Sequence, residues 1–200
     1  MTIDAALLAR GMTYAQFKDS LTRNRDLLEA NERAVALDPD DVAFFKALPR
    51  PLTVIALAED WCGDVIANLP VLARLAEASG KLEVRIFDRS KHPDLMKRWL
   101  NQGKFESIPV FAFFDQGLHE VGVFIERPAS VTAKRAELRL AIFAGDPSFG
   151  SPEAPVADLP EEARGRLLAA IRKMRADLKP WADREVAREL RAIAHHAVAA

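Results

Sequence analysis

The chain contains one cysteine, which lies at the centre of the segment Trp61-Cys62-Gly63-Asp64-Val65. A thiolate is the nucleophile in thiol–disulfide exchange, so one well-placed cysteine can still form a mixed disulfide with another molecule. One cysteine cannot form a disulfide within its own chain, which excludes a disulfide scaffold and an internal dithiol–disulfide cycle. Cys62 is therefore the candidate nucleophile.

The predicted helix start and the neighbouring carboxylates act on the pKa of Cys62 in opposite directions. An apolar run over 52–58 ends just before the motif, and a helix is predicted over 62–79. A thiol at a helix start faces unpaired N–H groups and the positive end of the helix dipole, which lowers a cysteine pKa. Neighbouring carboxylates oppose this effect, because like charge raises the pKa. The sequence leaves open which influence is larger. The carboxylates within a few residues of the thiol are Glu59, Asp60 and Asp64.

Strand and helix patterns alternate from residue 52 to residue 144. The 52–58 run lacks polar alternation, which is typical of a strand buried on both faces. Pro70 is expected to bend the first helix. The order β-α-β-α-β-β-α predicts an α/β fold with a mixed four-stranded sheet flanked by helices. The predicted strands are 52–58, 82–88, 109–115 and 118–125, and the predicted helices are 62–79, 93–101 and 130–144.

Helical segments precede and follow this core. In the first part of the chain, one helical pattern runs from Thr13 through apolar positions as far as Leu28, and a second begins at about Asp40. After the core, two amphipathic helices are predicted over 160–178 and 181–199, separated at Pro180 because proline interrupts helical hydrogen bonding. The predicted division of the chain is an N-terminal helical extension (1–49), a core domain (50–146) and a C-terminal loop and helical extension (147–200).

Several features of the core resemble the thioredoxin superfamily. Cys62 follows a buried strand in a Trp-Cys-Gly motif, Pro70 comes eight residues later, and Ile108-Pro109 opens the third strand. The strand and helix order over 50–144 also resembles that of the superfamily, which implies a thioredoxin-like fold. More narrowly, the chain is similar to a group of bacterial thioredoxin family proteins of poorly defined function, some of which also lack the second cysteine. The segments that carry this closer similarity are Glu59–Asp64, Asn68–Leu72 and Ser107–Val110.

The resemblance implies roles for the residues around the thiol. Trp61 and Gly63 are expected to contact the substrate beside Cys62. A cis bond between Ile108 and Pro109 would turn the backbone of Ile108 toward the thiol. There its N–H and C=O groups would pair with an extended peptide or with the backbone of glutathione.

Two positions depart from the superfamily pattern. Val65 stands at the place of the second cysteine, so nothing in the chain can resolve a mixed disulfide at Cys62. Ala56 stands where thioredoxins carry a buried aspartate thought to help proton transfer. Both differences argue against ordinary thioredoxin reductase activity. Asp64 is a candidate substitute proton carrier; the alternative is an acid that only stabilises the start of the helix.

Composition narrows the expected partners. The 28 basic and 29 acidic residues give a net charge of -1, which provides no electrostatic indication of nucleic acid or a membrane surface. The apolar stretches are shorter than the ~20 residues of a membrane-spanning helix. The first residues lack the pattern of a signal peptide, so a cytoplasmic protein is expected. Neither metal-ligand spacing nor a phosphate-binding loop occurs, and no metal or other cofactor is expected.

Three functions are consistent with one positioned thiol. A monothiol exchange protein would attack a disulfide-containing or glutathionylated protein through Cys62, and glutathione or another low-molecular-weight thiol would then release it. A non-redox binding module would instead hold an extended peptide around Trp61, Cys62 and Pro109. A thiol sensor would be oxidised at Cys62 or would join two chains through it.

Overall fold

The computed structural model describes residues 2–197, which form two compact units. One unit contains the residues up to Pro128 together with those from Asp183 onward, and the other is Ala129–Ala182. The domain boundaries predicted from the sequence stay a prediction. The α-helices are α1 (Ala5–Leu8), α2 (Tyr14–Ser20), α3 (Arg25–Ala34), α4 (Pro39–Lys46), α5 (Gly63–Ser79), α6 (Pro93–Met96), α7 (Ala129–Gly145) and α8 (Glu161–His196). The strands are β1 (Leu52–Ala58), β2 (Leu82–Asp88), β3 (Val110–Phe114) and β4 (Glu120–Ile125).

The strands of the first unit form one mixed sheet in the order β2-β1-β3-β4. β1 is parallel to β2 and antiparallel to β3, and β3 is antiparallel to β4. Parallel neighbours need a crossover connection, and α5 provides it between β1 and β2. The predicted α/β class and mixed four-stranded sheet are confirmed.

The apolar run of β1 explains its inner position in this sheet. Every residue of the strand except Thr53 is buried, as expected for a strand covered on both faces. Next to it, Phe111 on β3 and Phe124 on β4 stack with ring centroids 5.2 Å apart. These contacts fix the register of the hairpin, because a slip of one residue would turn each ring to the other face.

Helix α5 begins where the candidate nucleophile lies and ends at a glycine. Cys62 is its N-cap, with extended backbone angles, and Gly80 is its C-cap in the left-handed conformation at φ 64°. Glycine adopts that conformation without a side-chain clash, which explains the stop after Ser79. Pro70 lies inside the helix, as predicted, and is buried with Leu69.

The segment that begins at Thr13 forms two helices, α2 and α3, where the sequence suggested one continuous pattern. The break falls over residues 21–24. The carboxylate of Asp60 accepts hydrogen bonds from the backbone N–H groups of Thr22 and Arg23, at 3.0 and 3.1 Å. Those N–H groups are therefore bound to the loop after β1, and a distant contact determines where α2 ends.

The predicted helix over 93–101 is too long, because α6 ends at Met96. The chain then turns, and Asn101 and Phe105 form an isolated antiparallel bridge. Trp99 is buried in the core, and its indole N–H donates to the carboxylate of Glu120 at 3.0 Å. This tertiary contact replaces the last helical turn that the local pattern favoured.

The predicted separation of the last two helices at Pro180 is wrong, because α8 continues through this residue. Beyond the proline, the positions Val186, Leu190 and Ala194 recur every four residues and are buried in the first unit. This buried stripe stabilises the continued helix although Pro180 lacks an N–H donor. The part of the prediction beyond Ala197 lies outside the described residues. Among the helices of residues 2–197, none has both the length and the apolar character needed to cross a membrane.

Candidate thiol site

The thiol of Cys62 lies at the junction of β1 and α5 and is half-buried. Its Sγ donates a hydrogen bond to the backbone carbonyl oxygen of Ile108, at 3.4 Å. The peptide bond between Ile108 and Pro109 is cis, and both of these residues are buried. The site thus joins two segments that are 46 residues apart in the chain.

Burial raises the pKa of the Cys62 thiol above its ordinary value. The backbone N–H groups of Val65 and Asp64 act in the opposite direction, since they stabilise the thiolate, but burial outweighs them. The carboxylates of Asp64 and Glu126 raise the pKa further. The neutral Cys62 thiol accepts no capping hydrogen bond from the first N–H groups of α5, although a side-chain oxygen at an N-cap position commonly does. The thiol is therefore mainly protonated at neutral pH.

The carboxylates of Glu59 and Asp60 accept hydrogen bonds that hold the segment before Cys62 in place. The carboxylate of Glu59 accepts the backbone N–H of Ser90 at 2.7 Å. That of Asp60 accepts the Thr22 hydroxyl at 2.7 Å as well as two N–H groups. Partial desolvation acts to raise the pKa of Asp60, but these hydrogen bonds outweigh it and lower the pKa. Neither carboxylate is among the groups that raise the pKa of Cys62.

Asp64 forms an ion pair at the other side of the thiol. Its Oδ2 lies 2.9 Å from Nη2 of Arg127, and both side chains are largely buried. Arg127 also contacts the carboxylate of Glu126. One guanidinium therefore lies between the two carboxylates that raise the pKa of Cys62.

The backbone of Glu126 is fixed beside Pro109. Its N–H donates to the carbonyl oxygen of Pro109 at 2.7 Å, and its own carbonyl oxygen accepts from Nδ2 of Asn68 at 2.8 Å. The residue has a φ of 65°, in the left-handed region that non-glycine residues rarely occupy. Asn101 donates to the Glu126 carboxylate at 3.0 Å. The chain thus holds this acid toward the thiol from several directions.

Three residues of this site, Glu126, Arg127 and Asn68, are not predicted from the sequence, although signals for them are present. A hairpin that pairs Val110 with Ile125 brings residue 126 beside Pro109. An amide such as Asn68 within the otherwise apolar stretch 65–73 also needs a partner when it is buried. The register of the hairpin and the burial of the helix would therefore have indicated these residues.

The other predicted site residues surround the thiol in different ways. The Trp61 side chain is 51% exposed, and the guanidinium carbon of Arg89 lies 5.7 Å from its ring centroid. Gly63, which has no side chain of its own, is exposed in the first turn of α5. Trp61 and Gly63 present surface beside the half-buried thiol, whereas Ile108 contributes a backbone oxygen. Over residues 2–197, His, Cys, Asp and Glu side chains form no group of three or more that could hold a metal ion.

Comparison with known proteins supports the fold. A family model described as thioredoxin matches residues 11–139. A protein of unknown function from Pseudomonas aeruginosa has a similar structure, with a TM-score of 0.61 and 22% identity over 87% of this chain and 99% of that chain. An HIV epitope-scaffold has a TM-score of 0.64 and 16% identity over 97% of this chain and 98% of that chain. At such low identities these structures show a common fold alone. No curated protein matches the chain significantly.

Proposed function

We propose that this chain, which belongs to the thioredoxin family, performs thiol–disulfide exchange with Cys62 as its one nucleophile. The observation that carries the proposal is the position of the Cys62 thiol, at the first turn of α5 and 3.4 Å from the Ile108 carbonyl. A thiol in this place is held beside exposed surface at Trp61 and Gly63, where a substrate can approach.

The first step forms a mixed disulfide at Cys62. The thiolate attacks one sulfur of a substrate disulfide R–S–S–R′, the Cys62–S–R bond forms, and R′–S⁻ leaves with the electron pair of the broken bond. The proton of the thiol passes to solvent before the attack. For a glutathionylated protein, attack on the glutathione sulfur leaves glutathione on Cys62 and releases the protein thiolate.

The second step needs a thiol from outside the chain, because Cys62 is the sole cysteine. A low-molecular-weight thiolate attacks the sulfur of the bound group in the mixed disulfide, and the bond from that sulfur to Cys62 breaks. A new disulfide between that thiol and the bound group leaves, and Cys62 returns as a thiolate. The protein is neither oxidised nor reduced over one cycle.

The raised pKa of Cys62 determines how this activity depends on pH. Burial and the two carboxylates favour the protonated thiol, so the thiolate fraction is small at neutral pH and increases as the pH rises. A thiolate of higher pKa is also intrinsically more nucleophilic, which partly offsets its low abundance. Slow exchange that accelerates in alkaline solution is the expected behaviour.

The test is the reaction of the reduced protein with a glutathionylated peptide, in the presence of free glutathione. Mass spectrometry of the quenched reaction should detect one glutathione on the wild-type chain, and the peptide thiol should appear over many turnovers. Cys62→Ser should form no adduct and release no peptide thiol above the uncatalysed rate. Equal rates with the wild-type protein and with Cys62→Ser would contradict the proposal.

A second candidate function is non-redox peptide binding at the same surface. The specific observation in its favour is that burial and nearby carboxylates keep the Cys62 thiol protonated, which suits a contact group better than a nucleophile. This function predicts that Cys62→Ser binds a reduced peptide as tightly as the wild-type protein does. Isothermal titration of both proteins with the same peptide separates the two functions when it is combined with the exchange assay.

A further inference from the structure

Arg89 joins two segments of the thiol site. Its guanidinium carbon lies 5.7 Å from the ring centroid of Trp61. The same guanidinium donates from Nη1 to the carbonyl oxygen of Glu106 at 3.0 Å, and its Nη2 lies 3.4 Å from the Glu106 carboxylate. Trp61 belongs to the motif before α5, and Glu106 belongs to the loop that leads to Ile108.

The backbone around Arg89 is itself held by the segment that precedes Cys62. Residues Arg89–Lys91 form a short 3-10 helix directly after β2. The backbone N–H of Ser90 donates to the carboxylate of Glu59 at 2.7 Å. Glu59 and Trp61, which are two residues apart, therefore both contact this short helix, and the position of Arg89 is fixed before any substrate binds.

We propose that Arg89 is a positioning residue for polypeptide substrates of the thiol site. It holds the Trp61 ring against the Glu106–Pro109 loop, so that an extended polypeptide meets a preformed surface on both sides of Cys62. The inference rests on the proposed exchange function and deepens it, because it assigns the residue that orders the surface beside the thiol.

The contacts of Arg89 require a guanidinium. A planar guanidinium can face an aromatic ring while its N–H groups point outward in its own plane, and that of Arg89 combines the Trp61 contact with one hydrogen bond and one ion pair to Glu106. An ammonium group keeps the charge but cannot make all three contacts at once. Arg89→Lys should therefore resemble Arg89→Ala rather than the wild-type protein.

The expected effect appears in KM, because Arg89 acts on binding of the polypeptide and does not contact the reacting sulfur. With a glutathionylated peptide, Arg89→Lys and Arg89→Ala should each raise KM about fivefold, the size expected for loss of one exposed cation–π contact together with one ion pair. The kcat should change less than twofold. Arg74→Ala is the matched control, since Arg74 is an exposed arginine that pairs with Glu77 at 2.5 Å on α5, and its KM should equal that of the wild-type protein.

A second readout reports on Trp61 directly. In a two-dimensional 1H–15N NMR spectrum, the indole signal of Trp61 is assigned with Trp61→Phe. This signal should shift in Arg89→Lys and Arg89→Ala but not in Arg74→Ala, and the remaining spectrum shows whether each variant is folded. An unmoved Trp61 signal in Arg89→Ala, or an equal rise in KM for Arg74→Ala, would overturn the proposal.

The positioning role of Arg89 can be tested even when the wild-type protein shows no thiol–disulfide exchange. A wild-type protein without exchange activity contradicts the proposed function, and the same peptide is then titrated into the wild-type protein and Arg89→Ala by NMR. Binding that is about fivefold weaker in Arg89→Ala supports the positioning role. Equal binding overturns it.

Discussion

The Cys62 thiol donates to the carbonyl oxygen of Ile108 at 3.4 Å. A thiol that donates to a carbonyl is held in its protonated form, because the thiolate has no proton to share. Burial raises the pKa of the same group. The contact that places the Cys62 thiol beside Pro109 therefore also favours its protonated form.

Removing the charge of Asp64 should make the thiol more reactive. Asp64→Asn removes a carboxylate that raises the pKa of Cys62 and leaves the charge of Arg127 less compensated. Both changes favour the thiolate, so the pKa of Cys62 should fall. The measurement is the rate of alkylation by iodoacetamide at neutral pH, which should rise several-fold.

A matched control for this variant is Asp94→Asn, which removes an exposed acid on α6 that does not act on the thiol. Its alkylation rate should equal that of the wild-type protein. If Asp64→Asn reacts no faster than Asp94→Asn, then the Asp64 carboxylate does not limit ionisation of Cys62.

Removing Arg127 should have the opposite effect. Arg127→Ala leaves the carboxylates of Asp64 and Glu126 without the guanidinium that lies between them. The pKa of Cys62 should rise further, and alkylation at neutral pH should slow. Arg127→Lys keeps a positive charge and should lie between Arg127→Ala and the wild-type protein. Faster alkylation in Arg127→Ala would show that this interpretation of the charges has the wrong sign.

Restoring a second cysteine should remove the need for an external thiol. Val65 is buried one helical turn after Cys62, and Cα atoms at this spacing are ~5–6 Å apart, within the range that a disulfide spans. In Val65→Cys, the introduced thiol should attack the Cys62 sulfur of a mixed disulfide and release the bound group as a thiolate. Mass spectrometry without added thiol should detect a chain that has lost two hydrogens.

The control for this experiment is Val65→Ser, which introduces a polar group of similar size without a thiol. Its mixed disulfide should persist until glutathione is added. Persistence of the mixed disulfide in Val65→Cys would mean that residue 65 cannot reach the Cys62 sulfur.

Asn68 should contribute to stability through its bond to the backbone of Glu126. The side chain is 3% exposed, and Asn68→Ala would leave the carbonyl of Glu126 without this donor at 2.8 Å. The free energy of unfolding in urea should fall by about 1–3 kcal/mol, the range for an unpaired buried polar group. Asn31→Ala removes a similar bond, to Ile66 at 2.9 Å, at a half-buried position where water can substitute. An equal or larger loss in Asn31→Ala would contradict this assignment.

The central strands and the start of α5 could be predicted from the sequence. The apolar run over 52–58 and the alternation over 82–88 predicted β1 and β2 with their observed bounds, and Gly80 predicted the end of α5. These features depend on local composition and on backbone rules that act within a few residues. The position of Cys62 at the helix start follows from them.

The sequence could not predict features that depend on distant contacts. Burial of Trp99 shortens α6, and burial beyond Pro180 carries α8 through the proline. The charges that act on the thiol likewise depend on contacts distant in the chain. Glu59 and Asp60 lie close to Cys62 in sequence, yet the carboxylate that joins Asp64 in raising its pKa is that of Glu126. Proximity in the chain therefore predicted that Glu59 and Asp60 would raise the pKa of Cys62, and it gave no indication of Glu126.

The most direct test is the pH dependence of the Cys62 thiol, measured by thiolate absorbance and by exchange with a glutathionylated peptide on the same sample. We expect a pKa above the ~8.5 of an ordinary cysteine and an exchange rate that rises in parallel with the thiolate fraction. A pKa below that value would contradict the account of the site. An ionised thiol that still fails to exchange would contradict the proposed function.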